Sequence, residues 1–129
     1  MKLGVIAGSL LFVCSTCLYA QQALVGKYDG SLTAAVGGRG DKSFGISIEI
    51  TSAEDGKLKG TISNQSSPSC RGKLAAEGTY EGSKIKIGMV EADLPQGCSA
   101  LKFEGVAEGD KLVGKMPFSG APRDLTVSK

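Results

Sequence analysis

The sequence has no histidine and no tryptophan, and only 5% of its 129 residues are aromatic. Histidine is the side chain that most often transfers protons near neutral pH, so its absence argues against acid–base or nucleophilic catalysis. The chain also lacks a glycine-rich phosphate loop and any prominent Ser–Lys spacing. Without histidine, its cysteines form a poor ligand set for a metal ion. We therefore expect no enzyme, no metal site and no cofactor.

The first twenty residues have the pattern of a secretory signal peptide. Lys2 gives a short basic start, Leu3–Val13 is apolar, and Leu18–Ala20 resembles a cleavage site. The apolar stretch is too short for a membrane span, although a retained helical anchor is the alternative interpretation. We expect a signal peptide over residues 1–20 and one β-barrel domain over residues 21–129.

The charges of the expected mature chain nearly cancel. The sequence has 15 basic and 13 acidic side chains, and removal of Lys2 leaves 14 against 13, a net charge of +1. Such a balance argues against a nucleic-acid partner or a membrane-surface protein. No second long apolar run follows, so we expect no stable membrane insertion. The expected location is periplasmic or extracellular.

Two cysteines, Cys70 and Cys98, lie beyond the predicted signal peptide. An even pair in an exported protein predicts a disulfide. The chain-entropy model assigns a loop of this length a stabilisation of roughly 3–4 kcal/mol.

Apolar and polar residues alternate with period two along most of the chain, and no segment keeps a helical pattern over three turns. This alternation predicts strands that are buried on one face and wet on the other. The predicted strands cover residues 24–33, 43–52, 57–63, 73–80, 84–91, 100–107, 111–118 and 124–128. An eight-stranded meander favours a single antiparallel up-and-down β-barrel, with a two-sheet β-sandwich as the alternative.

One alternating set of bulky residues is predicted to face the barrel interior. So many large side chains favour a packed core over a cavity for a small ligand. The set comprises Leu24, Tyr28, Leu32, Phe44, Ile46, Ile48, Ile50, Leu58, Ile62, Leu74, Ile85, Ile87, Met89, Leu101, Phe103, Leu112, Met116, Phe118, Leu125 and Val127.

The connections between predicted strands separate by length onto two ends of the meander. The segment Glu77–Lys84 recurs as Glu104–Lys111, a shift of 27 residues, and Ala53–Lys57 is a looser copy. We call the end that carries the tight turns 53–56, 81–83 and 108–110 the turn end. The loop end carries the longer connections 34–42, 64–72, 91–99 and 119–123. Cys70 and Cys98 both belong to the loop end, which permits the disulfide.

The hairpin segments Val25–Gly30, Asp55–Ile62 and Phe103–Gly114 resemble those of small exported bacterial β-barrel modules, which are distantly similar to avidins and lipocalins. The resemblance covers nearly all of the expected mature chain and implies the fold, but it brings no settled activity. Biotin-binding barrels use several tryptophans, and this chain has none, so we do not expect biotin binding.

The three arginines, Arg39, Arg71 and Arg123, fall in the first, third and seventh predicted connections, all at the loop end. We call these three residues the arginine rim. Arginine suits recognition of carboxylates and phosphates and is enriched at interface hot spots. Asp41 joins the candidate binding set because Arg39-Gly40-Asp41 resembles an integrin-binding tripeptide, although so short a motif arises by chance in roughly one chain in fifty of this length.

These observations predict an exported, non-enzymatic binding or interaction protein that uses the loop end to hold a protein or an anionic ligand. Two alternatives stay open. One is a carrier of a small apolar ligand inside the barrel. The other is a protein inhibitor of a hydrolase, in which the connection around Phe118-Ser119-Gly120-Ala121 enters an active site.

Overall fold

A computed structural model describes residues 23–35, 41–64, 70, 72–118 and 120–129. The chain forms eight antiparallel strands that close into a barrel in the order β1 to β8. The predicted up-and-down barrel is therefore confirmed, and the sandwich alternative is wrong. The strands are β1 (Gly26–Ala35), β2 (Asp41–Glu54), β3 (Lys57–Asn64), β4 (Leu74–Glu81), β5 (Lys84–Met89), β6 (Lys102–Glu108), β7 (Lys111–Phe118) and β8 (Ala121–Ser128).

Several strand boundaries differ from the predicted ones. β2 is longer than predicted, with 14 residues, and includes an irregularity in its pairing with β3 between Ile50 and Ser52. More residues separate β5 from β6 along the chain than predicted, and a short 3-10 turn lies in this connection at Glu91–Asp93. The seventh connection is shorter, because Phe118 pairs with Ala121 and only two residues join β7 to β8. Tight hairpins of this kind extend the pairing of their strands further than a five-residue loop would.

The barrel interior is filled by side chains from every strand. Of the twenty residues predicted to face inward, all are buried except Leu74 and Phe118, which are half-buried and pack against the others. Ala53 and Ala76 also belong to the core. The predicted core is thus confirmed, and the two additions are small alanines that a search for bulky residues overlooks.

Glycines let the strands coil tightly at points where backbones approach one another. A Cβ atom at Gly60 would lie 1.8 Å from the backbone oxygen of Glu49 on β2. Gly105 and Gly114 face each other on β6 and β7, and a Cβ on either residue would collide with the Cα of the other. These positions hold glycine because no side chain fits between the adjacent strands.

The turn end is sealed by contacts around Tyr28. The Tyr28 hydroxyl donates a hydrogen bond to the Leu24 carbonyl at 2.8 Å, and Leu24 is buried against the core. The Lys129 Nζ lies 5.4 Å from the centre of the Tyr28 ring and donates to the Ala23 carbonyl at 2.9 Å. Burial raises the pKa of the Tyr28 phenol, and the negative charge of Asp110 adds to this effect.

The tight turns use backbone conformations that favour glycine. Asp55 and Gly56 have φ values of 54° and 77°, which suit a two-residue hairpin turn between β2 and β3. Gly82 and Gly109 have φ values of 60° and 59° in the two other turns at this end. Within the described part of the chain, no helix is long and apolar enough to cross a membrane.

Candidate functional site

A disulfide between Cys70 and Cys98 joins two connections at the loop end. The sulfur atoms are bonded, and the two Cα atoms lie 5.1 Å apart. Cys70 belongs to the connection between β3 and β4, and Cys98 to the connection between β5 and β6. The predicted pairing is confirmed, and it fixes these two connections to each other.

The connection between β5 and β6 is anchored to the barrel along much of its length. The Val90 N–H donates to the Ala75 carbonyl at 2.9 Å, and the Met89 N–H donates to the Leu101 carbonyl at 3.0 Å. Leu94, Cys98 and Ala100 also pack against the core. Because backbone and side chains both hold it, this connection presents a preorganised surface beside the disulfide.

Arg123 lies within β8, not in a loop as predicted, because the turn between β7 and β8 is so short. Its position alternates with the buried Leu125 and Val127, so the residue belongs to the inward face of the barrel. The side chain is half-buried, and its Nε donates to the Phe118 carbonyl at 3.3 Å. Arg123 therefore places a positive charge at the mouth of the barrel.

The other members of the predicted binding set are described only in part. Arg39 and Arg71 lie outside the described residues, as does Gly40 of the tripeptide. The backbone of Asp41 starts β2 and pairs with Ala35, which places it at the loop end. The arginine rim as a shared surface therefore stays a prediction, with Arg123 as its described member.

An aromatic pair and a buried amide lie near the same mouth. The rings of Phe44 and Phe118 have centroids 4.7 Å apart and are inclined by 48°. Asn64, at the end of β3, is only 3% exposed. The sequence interpretation missed Asn64, although it continues the inward series of Leu58 and Ile62 by one step of two residues. The signal that could have identified Asn64 from the sequence was a polar residue at an inward position close to a loop.

Three strand carboxylates, Asp29, Glu49 and Glu104, lie on the outer face beside hydroxyl or lysine partners. Asp29 accepts a hydrogen bond from the Ser47 hydroxyl. Glu49 forms an ion pair with Lys73 at 3.1 Å. The third carboxylate, Glu104, lies 3.7 Å from a lysine Nζ, and both of these side chains are mostly exposed. Each of these three carboxylates is thus paired with a neighbouring hydroxyl or lysine on the outer face.

Two adjoining concavities of about 580 and 450 Å³ lie on the outer face of β4, β5 and β6. Both are lined by Thr79, Lys86 and Glu104, which are exposed. Their charges are mixed, and Lys86 and Glu104 already pair with each other. This outer groove therefore lacks the single sign of charge that would select an ionic ligand.

Comparisons of the chain with protein-family models, with curated proteins and with solved structures find no match. The class of protein that the fold defines is a small closed β-barrel with a disulfide at one end. The resemblance to exported bacterial modules, avidins and lipocalins stays a prediction beyond that class.

Proposed function

We propose that the protein is an exported, non-enzymatic binding module whose loop end holds a protein surface or an anionic ligand. The observation that carries this proposal is the disulfide between two loop-end connections. Closed barrels bury their strands in a rigid scaffold and leave the connections to vary, and binding residues are often found on such connections. A covalent tie between two of them lowers the entropy lost when a partner is bound.

The half-buried Arg123 supports an acidic or anionic partner. A guanidinium that uses Nε for a backbone carbonyl keeps its terminal nitrogens as further donors. Arginine donors at a partly desolvated position contribute more to binding than exposed lysines do. Carboxylate or phosphate groups are therefore the ligands that we expect at the mouth of the barrel.

The disulfide also supports export. Disulfides persist in the bacterial periplasm and outside cells, and are rare in the reducing cytosol. The signal-peptide pattern of residues 1–20 points to the same compartment. Sequencing the N-terminus of the exported protein tests this part of the proposal, and a chain that still begins at Met1 would contradict it.

The two alternative functions have weaker support. Interior positions such as Ile48, Ile62 and Leu112 are fully buried by neighbouring side chains, so an apolar ligand would have to displace part of the core. The turn between β7 and β8 is only two residues long, which gives little reach into the active site of a hydrolase. Both observations leave the loop-end binding module as the better-supported function.

A capture experiment tests the proposal. The protein is purified in its oxidised form and used as bait against proteins of the envelope and culture medium. We expect a captured partner to be lost when Arg39, Arg71 and Arg123 are all replaced by alanine. Replacement of the strand lysines Lys59, Lys86 and Lys115 by alanine is the matched control and should leave capture unchanged. A partner that binds both variants equally would contradict a loop-end site.

A further inference from the structure

A small polar cavity lies on the outer face of β1, β2 and β3, and we call it the side cavity. Its volume is about 220 Å³. Gly72, two residues after the disulfide-bonded Cys70, forms part of its rim. Polar side chains line the rest of it, namely Lys27 of β1, Ser47 and Glu49 of β2, Thr61 and Ser63 of β3, and Lys73 just before β4.

The burial of Ser47 shows that the outer face is recessed at this place. Its side chain points outward, because its neighbours Ile46 and Ile48 are both buried in the interior. Outward side chains of an antiparallel sheet are usually wet, yet Ser47 is only 7% exposed. Its hydroxyl donates to the Asp29 carboxylate, which does not line the side cavity and so has a donor of its own.

An ion pair closes one side of the side cavity. The Lys73 Nζ lies 3.1 Å from the Glu49 Oε1, and the Glu49 side chain is half-buried. β3 lies between β2 and β4, so this ion pair reaches over β3. Gly72, with a φ of 79°, has a conformation that favours glycine directly before Lys73. The Glu49 carboxylate is therefore already compensated by a cation.

The other groups that line the side cavity include donors without a partner. Lys27 pairs in register with Glu49. Among the described residues, however, no carboxylate lies within ion-pair distance of the Lys27 ammonium. The hydroxyls of Thr61 and Ser63 are half-buried, and neither has a hydrogen-bond partner within the described ranges. One ammonium and two hydroxyls thus remain as donors around the same recess.

We propose that the side cavity binds a small oxyanion, the phosphate or carboxylate group of a small molecule. Two lysines against one glutamate leave a net charge of +1 on the residues that line it. Ammonium and hydroxyl groups donate hydrogen bonds, an oxyanion only accepts them, and bonds to a charged acceptor are the stronger kind. The proposal goes beyond the loop-end module, because the side cavity lies on the outer face and is lined by no member of the arginine rim.

An NMR titration of the oxidised protein tests the proposal with two defined probes, inorganic phosphate and acetate. The pH is fixed, and sodium chloride keeps the ionic strength constant. We expect saturable shifts of the amide signals around Lys27, Thr61 and Ser63, with a dissociation constant of about 1–10 mM for at least one anion. The anion that binds more tightly identifies the group. No saturable shift with either anion, or shifts confined to other parts of the barrel, would overturn the proposal.

Variants of the donors then test which side chains hold the anion. Lys27→Gln should weaken binding by about tenfold, because a charge-assisted hydrogen bond is lost. Lys59→Gln removes the same charge from an exposed lysine of β3 that does not line the side cavity, and it should leave the affinity nearly unchanged. Ser63→Ala and Thr61→Val should each weaken binding, whereas Thr79→Val, at an exposed position of β4, should not. Equal losses in the two lysine variants would reduce the binding to general surface charge and overturn the site.

Glu49→Gln should change the affinity in the opposite direction. It removes the carboxylate that holds Lys73, so a second ammonium becomes available and the anion should bind about fivefold more tightly. Glu104→Gln is the matched control, because Glu104 also pairs with a lysine on the outer face and its loss changes the net charge equally. A larger gain at Glu49 than at Glu104 supports the oxyanion site, and an equal gain or a loss at Glu49 would contradict it.

Discussion

Ile48 lies at the centre of the packed interior, and its replacement by alanine tests whether side chains fill the barrel. The residue is fully buried, and its strand neighbours are Tyr28 on β1 and Ile62 on β3, which are also buried. Ile48→Ala removes buried carbon atoms and leaves a cavity, which typically costs about 2–5 kcal/mol of unfolding free energy. We expect a value in the upper half of that range, because the closed sheet restricts collapse around the site.

Urea denaturation followed by circular dichroism measures this cost, with the midpoint and the slope fitted separately. Ile48→Val keeps most of the volume and should lose about 0.5–1.5 kcal/mol, and Phe103→Ala on the opposite part of the barrel about 3–5 kcal/mol. Lys59→Ala, on the outer face, is the control and should change stability by less than about 0.5 kcal/mol. Losses below about 1 kcal/mol at both Ile48 and Phe103 would refute the packed core and favour a ligand cavity.

Three further predictions concern the disulfide, the close-packed glycines and the buried phenol. Replacement of Cys70 and Cys98 by serine should lower the unfolding free energy by about 3.6 kcal/mol, and an unchanged denaturation midpoint would contradict the loop-entropy argument. Gly60→Ala should cost about 1–3 kcal/mol or more because its Cβ would lie 1.8 Å from the Glu49 backbone oxygen. At Gly88 the nearest atom to an added Cβ is the Lys102 Cγ at 2.9 Å and backbone lies only at 3.6 Å, so Gly88→Ala should cost less, as calorimetry can compare. The raised pKa of Tyr28 means that the unfolded chain releases this proton first. The contribution of Tyr28 to stability should therefore be fully present below about pH 10 and be lost as the pH rises further, and in Tyr28→Phe this part of the fall should vanish.

Periodicity was sufficient to predict the barrel and its core from the sequence. Clean alternation, as in Phe44–Ile50, assigns each residue to one face, and glycine-bearing turns such as Asp55-Gly56 specify short hairpins. Short hairpins make consecutive strands neighbours, which leaves few topologies to choose between. The same logic placed Cys70 and Cys98 at one end, where the structure bonds them.

The candidate site was predicted less well because it depends on where strands end. Arg123 was assigned to the seventh connection, whereas the pairing of β7 with β8 continues to Phe118 and Ala121 and so places Arg123 within the strand. Asn64 was overlooked because the predicted inward set was selected from bulky apolar residues only. The pairing of β1 with β8 that closes the barrel follows from the register of two distant strands, and no local pattern reports that register.

The two ends of the barrel differ in how their polar groups are bonded, and this difference supports the proposed location of a partner at the loop end. At the turn end, the Tyr28 hydroxyl donates to the Leu24 carbonyl and the Lys129 ammonium donates to the Ala23 carbonyl, so a ligand at these groups would have to break bonds already formed. At the loop end, the disulfide between Cys70 and Cys98 holds two connections in place, and the half-buried Arg123 donates through Nε to the Phe118 carbonyl. Because the Arg123 Nε bond leaves its terminal nitrogens as donors, we expect the proposed partner to add hydrogen bonds at the loop end without breaking those of the turn end.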